Sequence, residues 1–205
     1  MRVIGLTGGI GAGKSLVASM LEEAGARIID ADKVGHEVYQ PGSEGFAAVV
    51  EAFGEEIVDE DGQIDRTKLG ARVFGKPGEL ERLTAIVHPQ IRRIVDERIA
   101  QARATPGLAA AVLEAAILLD SGWDAVTDEV WVVRADSDEI RHRLAESRGL
   151  SADEVDARAA RQMSDEERNA RADVLIENHG SLDDLRAQVE RLWDERVRAA
   201  AQQAP

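Results

Sequence analysis

The chain has 205 residues, 44% of them hydrophobic and 31% charged, with a formal net charge of −14. That length and composition fit one globular domain with room for insertions. No apolar run approaches the roughly 18 residues of a membrane span, and the acidity argues against nucleic acid or an anionic membrane as partner. Cysteine is absent, which excludes disulfides and thiolate metal sites. A strand that begins almost at residue 1 leaves no signal peptide, so the expected location is the cytoplasm.

In chain order, Val3-Ile4-Gly5-Leu6 reads as a short buried strand. Gly8-Gly9-Ile10-Gly11-Ala12-Gly13-Lys14-Ser15 follows, spelling G-x-x-x-x-G-K-S, the phosphate-binding P-loop. Leu16 to Ala24 then reads as a helix, with Val17, Met20, Leu21 and Ala24 on one apolar face. The glycines let backbone N–H groups turn toward a triphosphate, and the helix N-terminus adds a favourable dipole. Gly8, Gly9, Gly11, Ala12, Gly13, Lys14, Ser15 and Leu16 are therefore candidate positions for binding a nucleoside triphosphate. Lys14 is expected to reach the β- and γ-phosphates, facing ligand and not core, and the Ser15 hydroxyl to ligate Mg²⁺. The bare pattern arises by chance in on the order of one chain in a hundred of this length. The flanking strand and helix make a ligand-free glycine turn the weaker reading.

Four more apolar runs read as strands: Ala26 to Ile29 ending at Asp30, Ala110 to Leu113 ending at Glu114, Val130 to Val133 ending at Arg134, and Val174 to Ile176 before Glu177. Short, β-branched and separated by helical patterns, they predict an α/β fold with a five-stranded parallel sheet and helices on both faces. About 80 residues separate the second run from the third. They are helical in pattern at Ser43 to Phe53 and Gly78 to Ala104, with a turn signal at Asp59 to Gly62. An insertion of that size at the sheet's carboxyl edge is expected to hold a second substrate. His88-Pro89 is expected to bound a helix, because residues before proline avoid the α region. Ser137 to Ala172 is helical and carries Arg141, Arg143, Arg148, Arg158, Arg161, Arg168 and Arg171. It reads as a lid over phosphates, although about half of these arginines, alternating with acids, could equally be a solvated face. The expected organisation is one domain: a core (about 1–32, 106–136 and 172–200), a helical acceptor-binding insertion (about 33–105) and a lid (about 137–171).

Among P-loop proteins, a GTPase would carry Asn-Lys-x-Asp, and a motor would end its third strand in Asp-Glu; here that strand ends in a lone Glu114. A small-molecule kinase needs a P-loop, a carboxylate near the acceptor hydroxyl, an acceptor-binding insertion and a lid with arginines, and all four are present. A nucleotide-dependent regulator is the alternative from another class. Asp30-Ala31-Asp32 supplies the carboxylate, and its two acids share a face if the chain stays extended there. Asp32 is the candidate general base; either acid could instead cap the helix that follows, with Asp30 the better candidate for the cap. Trp123, Trp131 and Trp193 are expected to pack in the core.

The P-loop with Gly5-Leu6-Thr7 before it, then Asp30-Ala31-Asp32, resembles the dephospho-coenzyme A kinase family. The similarity continues through Pro41-Gly42, Phe53-Gly54, Asp61-Gly62-Gln63-Ile64-Asp65-Arg66, Leu69, Val73-Phe74, Leu83, His88-Pro89, Arg161-Gln162, Arg168, Arg171-Ala172-Asp173 and Asn178-His179-Gly180. The resemblance implies a P-loop kinase fold and transfer of the γ-phosphoryl of ATP to the 3′-hydroxyl of dephospho-coenzyme A, with Mg²⁺. It places Asp32 at that hydroxyl, Arg143 or Arg148 with Arg161 and Arg168 at the phosphates, Asn178 near adenine, and His88 and Leu118 on the acceptor side. Two departures fall on that side, Ala116 for a proline and Asp120 for a glutamate. The partners implied are small molecules, and a monomer is compatible with the sequence.

Overall fold

The computed structural model describes residues 1–136, 140, 144–145, 151–159 and 162–200. The five apolar runs form strands β1 (Arg2–Gly8), β2 (Arg27–Asp30), β3 (Ala110–Glu114), β4 (Glu129–Arg134) and β5 (Val174–Glu177). All pair in parallel, in the order β2-β3-β1-β4-β5. The chain divides into two compact units, Met1–Asp30 with Arg98–Pro205, and Ala31–Glu97.

The first unit contains the sheet. Side chains alternate along each strand, so Ile4 and Leu6, Ala110 and Val112, Trp131 and Val133, and Val174 and Ile176 share one face. They form one cluster with Val17, Met20 and Leu21 of α1 (Lys14–Glu23). Leu185, Val189 and Trp193 of a late helix, Leu182–Trp193, join the same cluster. The opposite face is buried as well, at Val3, Ala111, Leu113, Val130 and Val132. Burial on both faces is why the strands read as unbroken apolar runs. Trp123, Trp131 and Trp193 are all buried, as their apolar surroundings predict. Order 2-3-1-4-5 sends the chain from β3 to the far side of β1, so the carboxyl ends of β1, β3 and β4 border a crevice where ligands of open α/β sheets bind.

The second unit is built from α2 (Ala31–Val38), α3 (Glu44–Phe53), α4 (Arg66–Val73) and the first part of α5 (Glu79–Arg103). Ser43 caps α3 by accepting from Phe46 N at 3.0 Å, and Asp65 caps α4 by accepting from Thr67 N and Lys68 N. The turn at Asp59 to Gly62 forms, with Asp59 Oδ1 accepting from the N–H groups of Asp61 and Gln63, and it is closed by an antiparallel bridge between Val58 and Ile64.

Two local expectations fail. The chain does not stay extended through Asp30-Ala31-Asp32: β2 ends at Asp30, and α2 starts at Ala31. The condition for the two acids to share a strand face is therefore not met. Nor does His88-Pro89 end a helix, because α5 runs through Pro89. An interior proline costs about 3 kcal/mol or more. Val87, Ile91, Val95, Ile99 and Ala102, three or four residues apart, are all buried. Burying one such large apolar side chain contributes about 1.5–3 kcal/mol, so the stripe outweighs the proline.

Later α-helices among the described residues include α6 (Ala152–Ala159), α7 (Asp165–Ala170) and α8 (Leu182–Trp193). Ser164 with Glu167, and Ser181 with Asp184, form capping boxes that start α7 and α8.

Candidate active site

The P-loop joins β1 to α1. Gly11 and Gly13 have φ of 73° and 94°, conformations that side chains rarely adopt. Gly13 opens α1 with no side-chain cap, and the first turn of the helix carries no acid. The helix's own residues thus supply no anion to the positive end of its dipole.

The loop is held from several sides. A Cβ on Gly8 would lie 2.5 Å from Val133 O of β4, and one on Gly5 would lie 2.7 Å from Leu118 Cδ2. A Cβ on Gly13 would overlap Asn178 Nδ2. Asn178, buried after β5, donates from that amide to Ala12 O at 2.8 Å, and its own N–H bonds Arg134 O. Ile10 N donates to Gln162 Oε1 at 3.1 Å. Over Gly11, a Cβ would lie 2.9 Å from both Ile140 Cγ2 and Leu144 Cδ1. Ala12 is buried, whereas Leu16 is 42% exposed.

The functional side chains of the loop converge on one carboxylate. Glu114 Oε1 accepts from Lys14 Nζ at 2.9 Å and from Ser15 Oγ at 2.8 Å. Parallel pairing explains the meeting: β3 lies beside β1 with Leu6 opposite Glu114, which puts the end of β3 next to the strand end where the P-loop starts. The side chains of Lys14 and Glu114 are only 13% and 8% exposed. The expectation that Lys14 faces ligand alone is therefore corrected, because it is half of a buried ion pair. Sequence reasoning assigned Glu114 no role. Its signal was present, an acid at the end of four apolar strand residues, but the partner lies 100 residues away. Among the described residues no three His, Asp or Glu side chains gather as a metal cage. Ser15 Oγ and the Glu114 carboxylate are nonetheless hard oxygen donors on one spot. They suit Mg²⁺, which takes few protein ligands and completes its shell with water and phosphate.

Arg168, on α7, is 3% exposed. Its guanidinium pairs with Asp165 and donates to Met163 O at 2.6 Å, and a Cβ on Gly9 would lie 3.4 Å from Nη1. It lines, with Gly9, Ile10 and Val155, a cavity of about 240 Å³ beside the P-loop. Asp120 accepts from Met163 N at 3.1 Å. Arg171 donates to Leu119 O and pairs with Asp124 at 2.7 Å, so it fastens this segment to the loop after β3. Leu118 is fully buried under Gly5 and presents no surface of its own. His179 pairs with Glu177, which also binds Arg134. Arg143, Arg148 and Arg161, with Arg141 and His142, lie outside the described residues.

In the second unit, Asp32 is exposed in the first turn of α2. His88 lies in α5, half-buried, and burial holds its imidazole pKa below the ordinary value.

Residues 2–184 match the family model of dephospho-CoA kinase. The dephospho-CoA kinase of Symbiobacterium thermophilum is 48% identical over 94% of this chain and 80% of its own length. That of Geobacter sulfurreducens is 42% identical over 96% and 99%. Among solved structures, TT1252 of Thermus thermophilus superposes with a TM-score of 0.80 at 33% identity, over 96% of this chain and 98% of that one. The dephospho-CoA kinase of Campylobacter jejuni has the same fold, with a TM-score of 0.73 at 23% identity over 97% and 98%. With a matching model over nearly the whole chain and relatives this similar, the chain belongs to the dephospho-CoA kinase family.

Proposed function

We propose that this protein transfers the γ-phosphoryl group of ATP to the ribose 3′-hydroxyl of dephospho-coenzyme A, yielding coenzyme A and ADP. The observation that carries the reading is the cluster of Lys14, Ser15 and Glu114 at the mouth of an uncapped helix, in a chain of this family. Backbone N–H groups of Gly11 to Ser15 would cradle the β-phosphate, and Lys14 would exchange Glu114 for phosphate oxygens. The Ser15 hydroxyl, with Glu114 beside it, would hold Mg²⁺. The ion would supply positive charge against the anionic phosphates, easing cleavage of the bond from the γ-phosphorus to the oxygen that leaves with ADP.

Asp32 acts as general base, taking the proton of the 3′-hydroxyl as its oxygen bonds to the γ-phosphorus. The electrons of the breaking P–O bond leave with ADP. Residues 33–105 bind the acceptor, with His88 among them. The lid expected over residues 137–171 would bring Arg143 or Arg148, with Arg161 and Arg168, to neutralise charge on the phosphoryl group. Arg168 already lies beside Gly9. Asn178 reaches the nucleotide through the loop backbone it braces. No helix among the described residues is long and apolar enough to cross a membrane. We place the enzyme in the cytoplasm, acting on small molecules.

The test is ATP·Mg²⁺ with a panel of dephospho-coenzyme A, AMP, CMP and shikimate, read by product mass. Dephospho-coenzyme A should gain one phosphoryl group and the others little. Preference for another acceptor overturns the assignment. Steady hydrolysis without any acceptor would indicate a nucleotide-dependent regulator instead.

A further inference from the structure

The second unit, Ala31–Glu97, carries eight lysines and arginines against fourteen aspartates and glutamates. In so acidic a unit each arginine is expected to find a carboxylate, and four do. Arg72 pairs with Glu56 at 3.7 Å, Arg82 with Glu79 at 3.7 Å, Arg92 with Asp96 at 2.9 Å and Arg93 with Glu97 at 3.0 Å. Arg66 is the exception. Its Nη1 lies 2.7 Å from Nε2 of His36, and among the described residues no carboxylate is within ion-pair range of it.

An arginine is always protonated, so Nη1 donates and His36 Nε2 must offer a lone pair. The acceptor is an imidazole nitrogen, which brings no negative charge. It orients the guanidinium without cancelling its charge. His36 also lies one turn after Asp32 on α2, so the two project from the same exposed face, about 6 Å apart along the axis. Ala31, Val34 and Val38 take the buried face. The unit thus presents the proposed base and an uncompensated arginine fork on one side of one helix.

We infer that Arg66 binds the diphosphate of the acceptor and that His36 is its positioning residue. This rests on the proposed function. Dephospho-coenzyme A carries a diphosphate on the 5′-oxygen of the ribose whose 3′-hydroxyl is phosphorylated. Seating that hydroxyl at Asp32 brings the diphosphate to the same face. A guanidinium matches two phosphate oxygens with parallel hydrogen bonds, which an ammonium cannot do.

The test compares dephospho-coenzyme A with adenosine, as acceptor or as competitive inhibitor, in wild type and Arg66→Gln at saturating ATP. Adenosine offers the same hydroxyl without phosphates. Arg66→Gln should lower kcat/KM for dephospho-coenzyme A about 10- to 100-fold, mainly through KM, with adenosine and the KM for ATP unchanged. Arg66→Lys should recover part of the loss, and His36→Ala should show a smaller loss of the same kind. Equal losses with both acceptors, or none with dephospho-coenzyme A, overturn the inference. Should Arg66→Gln lower the melting temperature, Arg66→Lys carries the same comparison under the same criteria. Wild-type protein inactive on dephospho-coenzyme A would instead refute the proposed function itself.

Discussion

Replacing Lys14 with methionine should unsettle the fold as well as stop turnover. Lys14 Nζ sits 2.9 Å from Glu114 Oε1, with both side chains well under a third exposed. Removing one partner of such a pair strands a buried charge and costs about 3–5 kcal/mol. Ser15 Oγ still donates to Glu114 in the variant, so the low end, about 3 kcal/mol, applies. A chain of this size loses roughly 2–4 °C of melting temperature per kcal/mol, which gives a fall of about 6–12 °C. Glu114→Gln should fall similarly, since it strands the ammonium. The double variant Lys14→Met with Glu114→Gln leaves no charge in the buried pair and should melt within about 3 °C of wild type, a coupling of about 5 kcal/mol. Thermal melts by circular dichroism measure all four proteins, and product formation checks that the three variants are inactive. Single variants that melt like wild type would refute the reasoning, as would a double variant whose loss equals the sum of the singles. Either result would mean that the pair is too solvated to matter to the fold.

Gly13→Ala should cost roughly 2–3 kcal/mol, from a left-handed alanine and the lost bond between Asn178 and Ala12; melting and ATP binding both report it, and adding Asn178→Ala should relieve only the overlap. Asp32→Asn should lower kcat about 10²-fold or more with little change in the KM for ATP; collapse of ATP binding with kcat preserved would make Asp32 a structural or metal-site residue. For His88, burial holds the folded pKa below the unfolded value near 6.5. The unfolded chain binds the proton first, so stability should fall as pH drops through about 6.5 toward the lowered folded value. His88→Gln should flatten that part of a stability-against-pH curve, and an unchanged slope would remove His88 as its source.

What could be read from the residues alone follows from how locally each feature is encoded. Val3 to Leu6, Ala110 to Leu113 and Val130 to Val133 were legible as strands because a sheet covered on both faces leaves no polar alternation to confuse with a helix. The P-loop was legible because its glycines, lysine and serine act within one turn of chain. His88-Pro89 misled because the penalty of a proline is local, whereas the burial that offsets it is summed over four helical turns from Val87 to Ala102. Arg168 posed a different problem. An arginine three residues after Asp165 looks like a solvated surface pair, and the pair does form, but only Asp165 stays open to solvent while the guanidinium is buried beside Gly9. Glu114 shows most sharply where sequence reasoning stops. Its chemistry was written at the end of β3, yet its purpose depends on β3 lying between β2 and β1. Had β3 been an edge strand away from β1, the same carboxylate would have had no lysine to hold. Strand order is decided by packing among distant segments, and only that order turns a lone acid into the partner of both Lys14 and Ser15.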